Sequence, residues 1–147
     1  MRNPSASRRF QLILIKPSHY DDDGYVIQWV ISSVPSNSLA AVYGLAADAD
    51  ERRVLGPDVA IDITVIDEMN TRIRPNKLIA LLERHGGFGM VCMVGIQSNQ
   101  FPRAIDLARP FRNATRIGRP AEVSPFAQSI STKGTPVNNS PVTRSST

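Results

Sequence analysis

The sequence predicts an α/β domain built on a Rossmann-like (flavodoxin-like) parallel sheet that is incomplete. Three short aliphatic runs, at residues 10–15, 59–66 and 90–96, have the length and composition of buried parallel strands. An amphipathic segment follows each run, so strands and helices alternate along the chain in three βα units. The chain has 147 residues, 41% of them hydrophobic, which is enough for one domain with a core.

The first βα unit joins its strand and helix by an unusually long loop, residues 16–38. A loop of this length is usually functional or contains a short element of its own. Residues 25–31 within it are predicted to form a short helical turn or a strand. Residues 36–38 offer serine and asparagine N-caps for a helix over residues 37–53, in which apolar side chains recur at helical spacing.

The second and third units follow the same pattern with shorter connections. The strand at residues 59–66 is rich in β-branched residues. Pro75 suits the first position of a helix that runs to about His85 and is stopped by the glycine pair 86–87. After the third strand, residues 97–100 form a polar loop, and Pro102 opens a third helix predicted to end near residues 110–112.

The connections between the strands determine their order in the sheet. Right-handed crossovers between parallel strands give the order 2-1-3 for three units of the flavodoxin-like type. The carboxyl ends of strands one and three then flank the point where the strand order reverses, and ligands of open α/β sheets bind there.

The two ends of the chain differ in composition from its middle. Residues 1–9 contain three arginines, and residues 113–147 contain four Lys/Arg against one Glu within a Ser/Thr/Pro-rich segment. Both segments are predicted to be disordered. The overall charge of +4 therefore belongs to the ends, because residues 10–112 sum to −2. A folded part without a basic stripe argues against nucleic-acid binding.

Composition excludes several other classes. No apolar run reaches the roughly 20 residues of a membrane helix, and no signal-peptide core follows the N-terminal arginines, which predicts a cytoplasmic protein without a membrane association. The single cysteine, Cys92, excludes an internal disulfide and a cysteine-based metal cluster. Its position in an apolar strand predicts a small buried hydrophobe.

Three polar loops follow the strands and should meet at the carboxyl edge of the sheet. In the first, His19 could ligate a metal or act as a base, and Asp21–Asp23 could bind a cation, but a solvated histidine and a solvated turn explain them as well. In the second, Asp67 and Glu68 could accept hydrogen bonds from a ribose or an amide. The glycine-rich signatures of dinucleotide folds and P-loops are missing after the first strand, which argues against a nicotinamide cofactor.

Four segments of the chain resemble a known family. They are residues 15–25 (IKPSHYDDDGY), 35–39 (PSNSL), 66–71 (IDEMNT) and 94–102 (VGIQSNQFP). Together, from Leu12 to about Arg109, they resemble the N-terminal cobalamin-binding-like domain of bacterial radical S-adenosylmethionine proteins. The resemblance implies a Rossmann-like domain that holds cobalamin at the carboxyl edge of its sheet, followed in such proteins by a barrel with a CxxxCxxC cluster motif.

Carried onto this sequence, the resemblance predicts that the corrin lies on the three polar loops. The predicted contacts are Ser18, His19, Tyr20, Asp21, Glu68, Asn70, Thr71, Gln97, Ser98, Asn99 and Gln100. The sequence lacks the D-x-H-x-x-G motif that supplies a cobalt-ligating histidine, and it contains no CxxxCxxC, so no iron–sulfur cluster is expected. No catalytic residue is predicted.

The leading hypothesis is therefore a partial cobalamin-binding module, not an enzyme by itself. A receiver-like or scaffold module that binds a protein is the alternative, although Gly95-Ile-Gln97 stands where a receiver's phosphoacceptor would be. A nonfunctional remnant is the third reading. A complete sheet needs about two more strands, so either a partner chain completes it or the reading frame changes after about Arg112. The genomic sequence downstream of that codon would distinguish these cases.

Overall fold

The computed structural model describes residues 8–29 and 36–117 of the chain. Both termini were predicted to be disordered, and most of each, residues 1–7 and 118–147, lies outside the described residues. The same is true of Val30 and Ile31, the last two residues of the element predicted at 25–31. In chain order the elements are β1 (Arg8–Lys16), α1 (Asn37–Glu51), β2 (Val59–Asp67), α2 (Pro75–Arg84), β3 (Gly89–Met93), a single 3₁₀ turn (Ser98–Gln100) and α3 (Phe101–Ile117).

The three strands form one parallel sheet in the order β2-β1-β3, which confirms the predicted fold class and topology. The central strand β1 pairs Gln11 with Asp62 of β2 on one side and with Gly89 of β3 on the other. Its residues 12–15 are buried, because helices cover both faces of the sheet at this strand.

Alternation along the strands sends successive side chains to opposite faces of the sheet. On one face α1 packs against a cluster formed by Leu12, Leu14, Leu39, Ala46 and Val94. On the other face α2 and α3 pack against a second cluster, formed by Ile13, Ile15, Ile73, Leu78, Leu82, Leu107 and Phe111. Ser36 caps α1 as predicted: its side chain accepts a hydrogen bond from the Leu39 amide.

Both ends of the folded segment extend further than predicted. Arg8 and Arg9 were predicted to be disordered but belong to β1, because Arg9 pairs with Asp62 at 2.8 Å and the Arg8 guanidinium stacks over the Phe88 ring. Helix α3 continues through Pro110 to Ile117, so residues 113–117 are helical and not irregular. Proline removes one helical hydrogen bond, but burial of Leu107 and Phe111 on either side of it holds the helix on the sheet.

Strand β3 is shorter than predicted. It ends at Met93, and the amide of Val94 still donates to Ile15 O at 2.7 Å before the chain turns. Gly95 makes this turn with a φ of 64°, a conformation that favours glycine. A Cβ at Gly95 would lie 3.1 Å from the Cβ of Ser38, so the beginning of α1 lies beside the end of β3.

The outer edge of β2 is partly closed by the end of α1. Asp50 accepts a hydrogen bond from the Ile61 amide at 2.7 Å, and Arg53 donates to Val59 O. Such side-chain caps reduce the tendency of an open edge to pair with another strand. None of the helices in the described ranges has both the length and the apolar character needed to cross a membrane.

Candidate functional site

The first carboxyl-edge loop forms a tight hairpin instead of a cation site. The carboxylate of Asp21 accepts hydrogen bonds from the amides of Asp23 and Tyr25, and Gly24 adopts a φ of 84° at the turn. Beyond the turn Val26 forms an antiparallel bridge with Tyr20, so this part of the loop is strand-like. The side chain of Asp21 is thus engaged within the turn, as an Asx-type turn requires.

Glu68, at the end of β2, is the centre of the carboxyl edge. Its side chain is only 1% exposed. The Nε atom of Arg103, from the first turns of α3, donates to both carboxylate oxygens at 3.1 Å, and Nη2 donates to Oε1 as well. The amide of Ser18 donates to Oε2 at 3.0 Å. These bonds connect the ends of β1 and β2 with α3, and a forked guanidinium–carboxylate pair is the strongest contact of this kind.

Arg103 is held by two partners. Its Nη1 atom also lies 3.3 Å from the Tyr20 hydroxyl, which in turn donates to Asp106 at 2.7 Å. The hydrogen bond to Glu68 raises the pKa of Arg103 well above its usual range, although burial acts in the opposite direction. Arg103 therefore stays charged, and the network closes the hairpin over α3.

The 3₁₀ turn closes the edge from the side of β3. The side chain of Gln100 is buried and donates from Nε2 to Pro17 O at 2.9 Å, while its Oε1 accepts from the Gln97 amide. Ser18 is fully buried, and its hydroxyl donates to Ile27 O. Both side chains hold loops in place and have no polar atom left for a ligand.

The eleven predicted contact residues therefore divide into two groups. Ser18, Glu68 and Gln100 are buried and bonded internally, and Tyr20 and Asp21 are engaged in the hairpin. His19 is half-buried, whereas the side chains of Asn70, Thr71, Gln97, Ser98 and Asn99 are exposed. The second group comprises the predicted residues that remain accessible to a ligand, although the Gln97 side chain also accepts a hydrogen bond from the Gln100 amide in a capping box.

Sequence reasoning missed Arg103. A buried carboxylate requires a partner, and an arginine one position after Pro102 at the start of a helix lies at the same edge of the sheet. That combination could have identified the pair, but only if Glu68 had been predicted to be buried. The sequence instead suggested an acid that accepts hydrogen bonds from a ligand.

Among the described residues, two clefts open on the β2 side of the molecule, away from the carboxyl ends of β1 and β3. The larger, about 1290 Å³, runs along the amino-terminal half of β2 and includes Asp50, Asp62 and His85 in its wall. The smaller, about 500 Å³, lies at the carboxyl end of β2 and is lined by Asn70 and Thr71 together with cationic side chains. Asn70 and Thr71 therefore line a different surface from the 97–99 segment.

Metal binding has no support in residues 8–29 and 36–117, which contain no group of three or more His, Cys, Asp or Glu side chains able to hold an ion. No family model matches the chain, and comparisons with curated proteins and with solved structures found no match.

Proposed function

We propose that this chain is a ligand-binding half-domain, with cobalamin as the ligand and the ends of β1 and β3 as its site. One observation supports the proposal: His19 follows β1 and Gln97, Ser98 and Asn99 follow β3, the two strands whose carboxyl ends flank the point where the strand order reverses. In this role the chain binds its ligand without radical chemistry of its own, because Cys92 alone cannot supply the three thiolates of a radical-generating cluster.

The available side chains suit the rim of a corrin. The corrin periphery carries amide groups, which donate and accept hydrogen bonds, and amide and hydroxyl side chains such as Gln97, Ser98 and Asn99 can do both. The loops that carry them are held by buried bonds, from Gln100 to Pro17 O and from Glu68 to Arg103. A site held in this way loses little loop entropy when a ligand binds. His19 is the ring nitrogen donor at this edge and would approach the corrin from the hairpin.

The test is a titration with hydroxocobalamin followed by visible absorbance and equilibrium dialysis. We expect His19→Ala to alter the spectrum of the complex or weaken binding, and Asn99→Ala to weaken binding by about tenfold, the equivalent of one hydrogen bond of about 1.4 kcal/mol. Each change removes a side chain from the proposed site without touching the buried network.

Matched controls lie at the opposite end of the sheet. His85→Ala and Asn113→Ala remove the same side chains from the ends of α2 and α3 and should leave cobalamin binding unchanged. Binding that persists unaltered in both His19→Ala and Asn99→Ala would place the site elsewhere, and no binding by the parent chain would reject cobalamin as the ligand.

A second candidate function, a protein-interaction module, is favoured by an uncovered apolar surface beside β3. Ser38 contacts Gly95 at the end of β3, and Leu45, seven residues later, lies on the same flank of α1 two turns further on. Leu45 is 71% exposed. Met90 and Cys92, whose side chains point to this face, are only half-buried. Exposed apolar surface of this kind is typical of interaction sites.

This candidate predicts self-association, with a second copy of the chain covering the flank. Sedimentation velocity should show a concentration-dependent dimer that Leu45→Glu abolishes, whereas Val54→Glu, at an exposed residue beyond the end of α1, should not. Burial raises the pKa of the Cys92 thiol, which slows its alkylation, and dimer formation should slow it further. A chain that remains monomeric at every concentration, with alkylation of Cys92 unaffected by Leu45→Glu, would contradict this candidate.

A further inference from the structure

The smaller cleft, at the carboxyl end of β2, is unusually rich in positive charge. It has a volume of about 500 Å³. Its wall is formed by Ile66, Asn70, Thr71, Arg72, Arg74, Lys77 and Leu78. Three of these seven side chains are cationic and none is anionic, so the cleft concentrates positive potential within a concave surface.

The three cations have no acidic partner within the part of the chain that the structure describes. Among the residues that the structure describes, no carboxylate forms an ion pair with Arg72, Arg74 or Lys77. Other arginines of the domain do have such partners: Arg9 pairs with Asp62, and Arg103 with Glu68. Residues 10–112 carry a net charge of −2. The positive charge of the cleft is therefore a local feature and does not reflect a basic domain.

The direction of α2 adds to this potential. The cleft lies at the first turn of the helix, where unpaired amides give a partial positive charge and acidic side chains are the favoured neighbours. Here the first turn contains no acidic residue, and Arg74, at the capping position, makes no side-chain cap. Clustered cations at this end of a helix repel one another and the helix dipole, and a bound anion would remove that cost.

We propose that this cleft binds the phosphate group of a small phosphomonoester, such as a mononucleotide. A phosphate offers several acceptor oxygens and close to two negative charges, which suits two arginine forks and a lysine. The volume lies in the range of small-molecule sites, and Ile66 and Leu78 provide an apolar part of the wall against which a ring could pack. The negative sum of residues 10–112 argues against a nucleic-acid strand as the natural ligand.

The inference is independent of the proposed cobalamin site, since the cleft uses none of His19, Gln97, Ser98 or Asn99. The experiment is calorimetric titration with 5′-AMP, adenosine and inorganic phosphate, in the absence of any corrin. We expect AMP to bind and adenosine to bind at least about tenfold more weakly, because it lacks the charged group. Raising the salt concentration should weaken AMP binding.

Single substitutions locate the site. Arg72→Gln, Arg74→Gln and Lys77→Gln should each weaken AMP binding by about 3- to 10-fold, the range of one partly exposed charge-assisted contact. Arg84→Gln, which removes an exposed arginine from the last turn of the same helix, is the matched control and should change the affinity less than twofold. His19→Ala should also leave AMP binding intact, which separates this site from the corrin site.

Three outcomes would overturn the proposal. They are the absence of binding by AMP and phosphate at millimolar concentration, equal losses in Arg84→Gln and in the cleft variants, and binding of a single-stranded oligonucleotide that is tighter than that of AMP and is weakened by the same cleft substitutions. Because the substituted side chains are exposed, the variants should keep the parent melting temperature. For a variant that does not, amide shifts of Thr71 and Arg72 in the parent chain on addition of AMP decide the question.

Discussion

Replacing Arg103 with alanine is expected to destabilise the domain by about 3–5 kcal/mol, the usual cost of removing one partner of a buried ion pair. The loss is large because Glu68 would remain at the carboxyl edge, 1% exposed, without the guanidinium that contacts both of its oxygens. Urea denaturation followed by circular dichroism measures it. The same substitution should free the hairpin at Tyr20, which loses one of its two partners.

Two controls test whether the buried charge is responsible. Arg109→Ala removes a mostly exposed arginine from the same helix, whose pair with Asp106 is a surface contact worth no more than about 1 kcal/mol. The double substitution Glu68→Leu with Arg103→Met should recover much of the stability lost in Arg103→Ala, because it leaves no charge behind. If Arg103→Ala were as mild as Arg109→Ala, the network would not hold the edge together.

Gly89→Ala is expected to destabilise the domain by about 3 kcal/mol, at the upper end of the usual cost of overpacking. Gly89 begins β3 beside Gln11 of β1, under Leu82 of α2. A Cβ there would lie 2.4 Å from the Gln11 carbonyl oxygen and 2.7 Å from a methyl of Leu82. The backbone oxygen cannot move without breaking the pairing of β1 and β3, so strand or helix must shift.

Gly44 provides the matched control for this substitution. It lies within α1, and a Cβ at that position would meet no atom within 4 Å. Gly44→Ala should therefore stabilise the domain by about 0.5–1 kcal/mol, through the higher helix propensity of alanine. Chemical denaturation of both variants checks the pair, and the expectation fails if the two substitutions shift the midpoint in the same direction.

Much of the fold followed from local patterns in the sequence. Three aliphatic runs and the helices between them predicted a parallel sheet with β1 in the centre, and the sheet has that order. Ser36 was a predicted cap and acts as one. The boundaries of elements were less predictable where tertiary contacts extend them. Arg9 belongs to β1 and pairs with Asp62 of β2, and α3 continues beyond Pro110.

The candidate site was predictable only in outline. The loops that meet at the carboxyl edge could be identified, because every parallel strand ends at the same edge. The sequence could not show which of the polar side chains on these loops remain free to bind a ligand. Ser18 and Gln100 look like available ligands in the sequence, but their hydrogen bonds to Ile27 O and Pro17 O become visible only when the loops are packed together.

The sequence by itself determined the kinds of element and their order, because the periodicity of apolar residues and the capping and turn residues act over a few positions. The tertiary structure alone decided the role of each polar residue. Glu68 and Arg103 are 35 positions apart, and no local pattern relates them. Burial sets what a carboxylate can do, and burial depends on which helix packs over it.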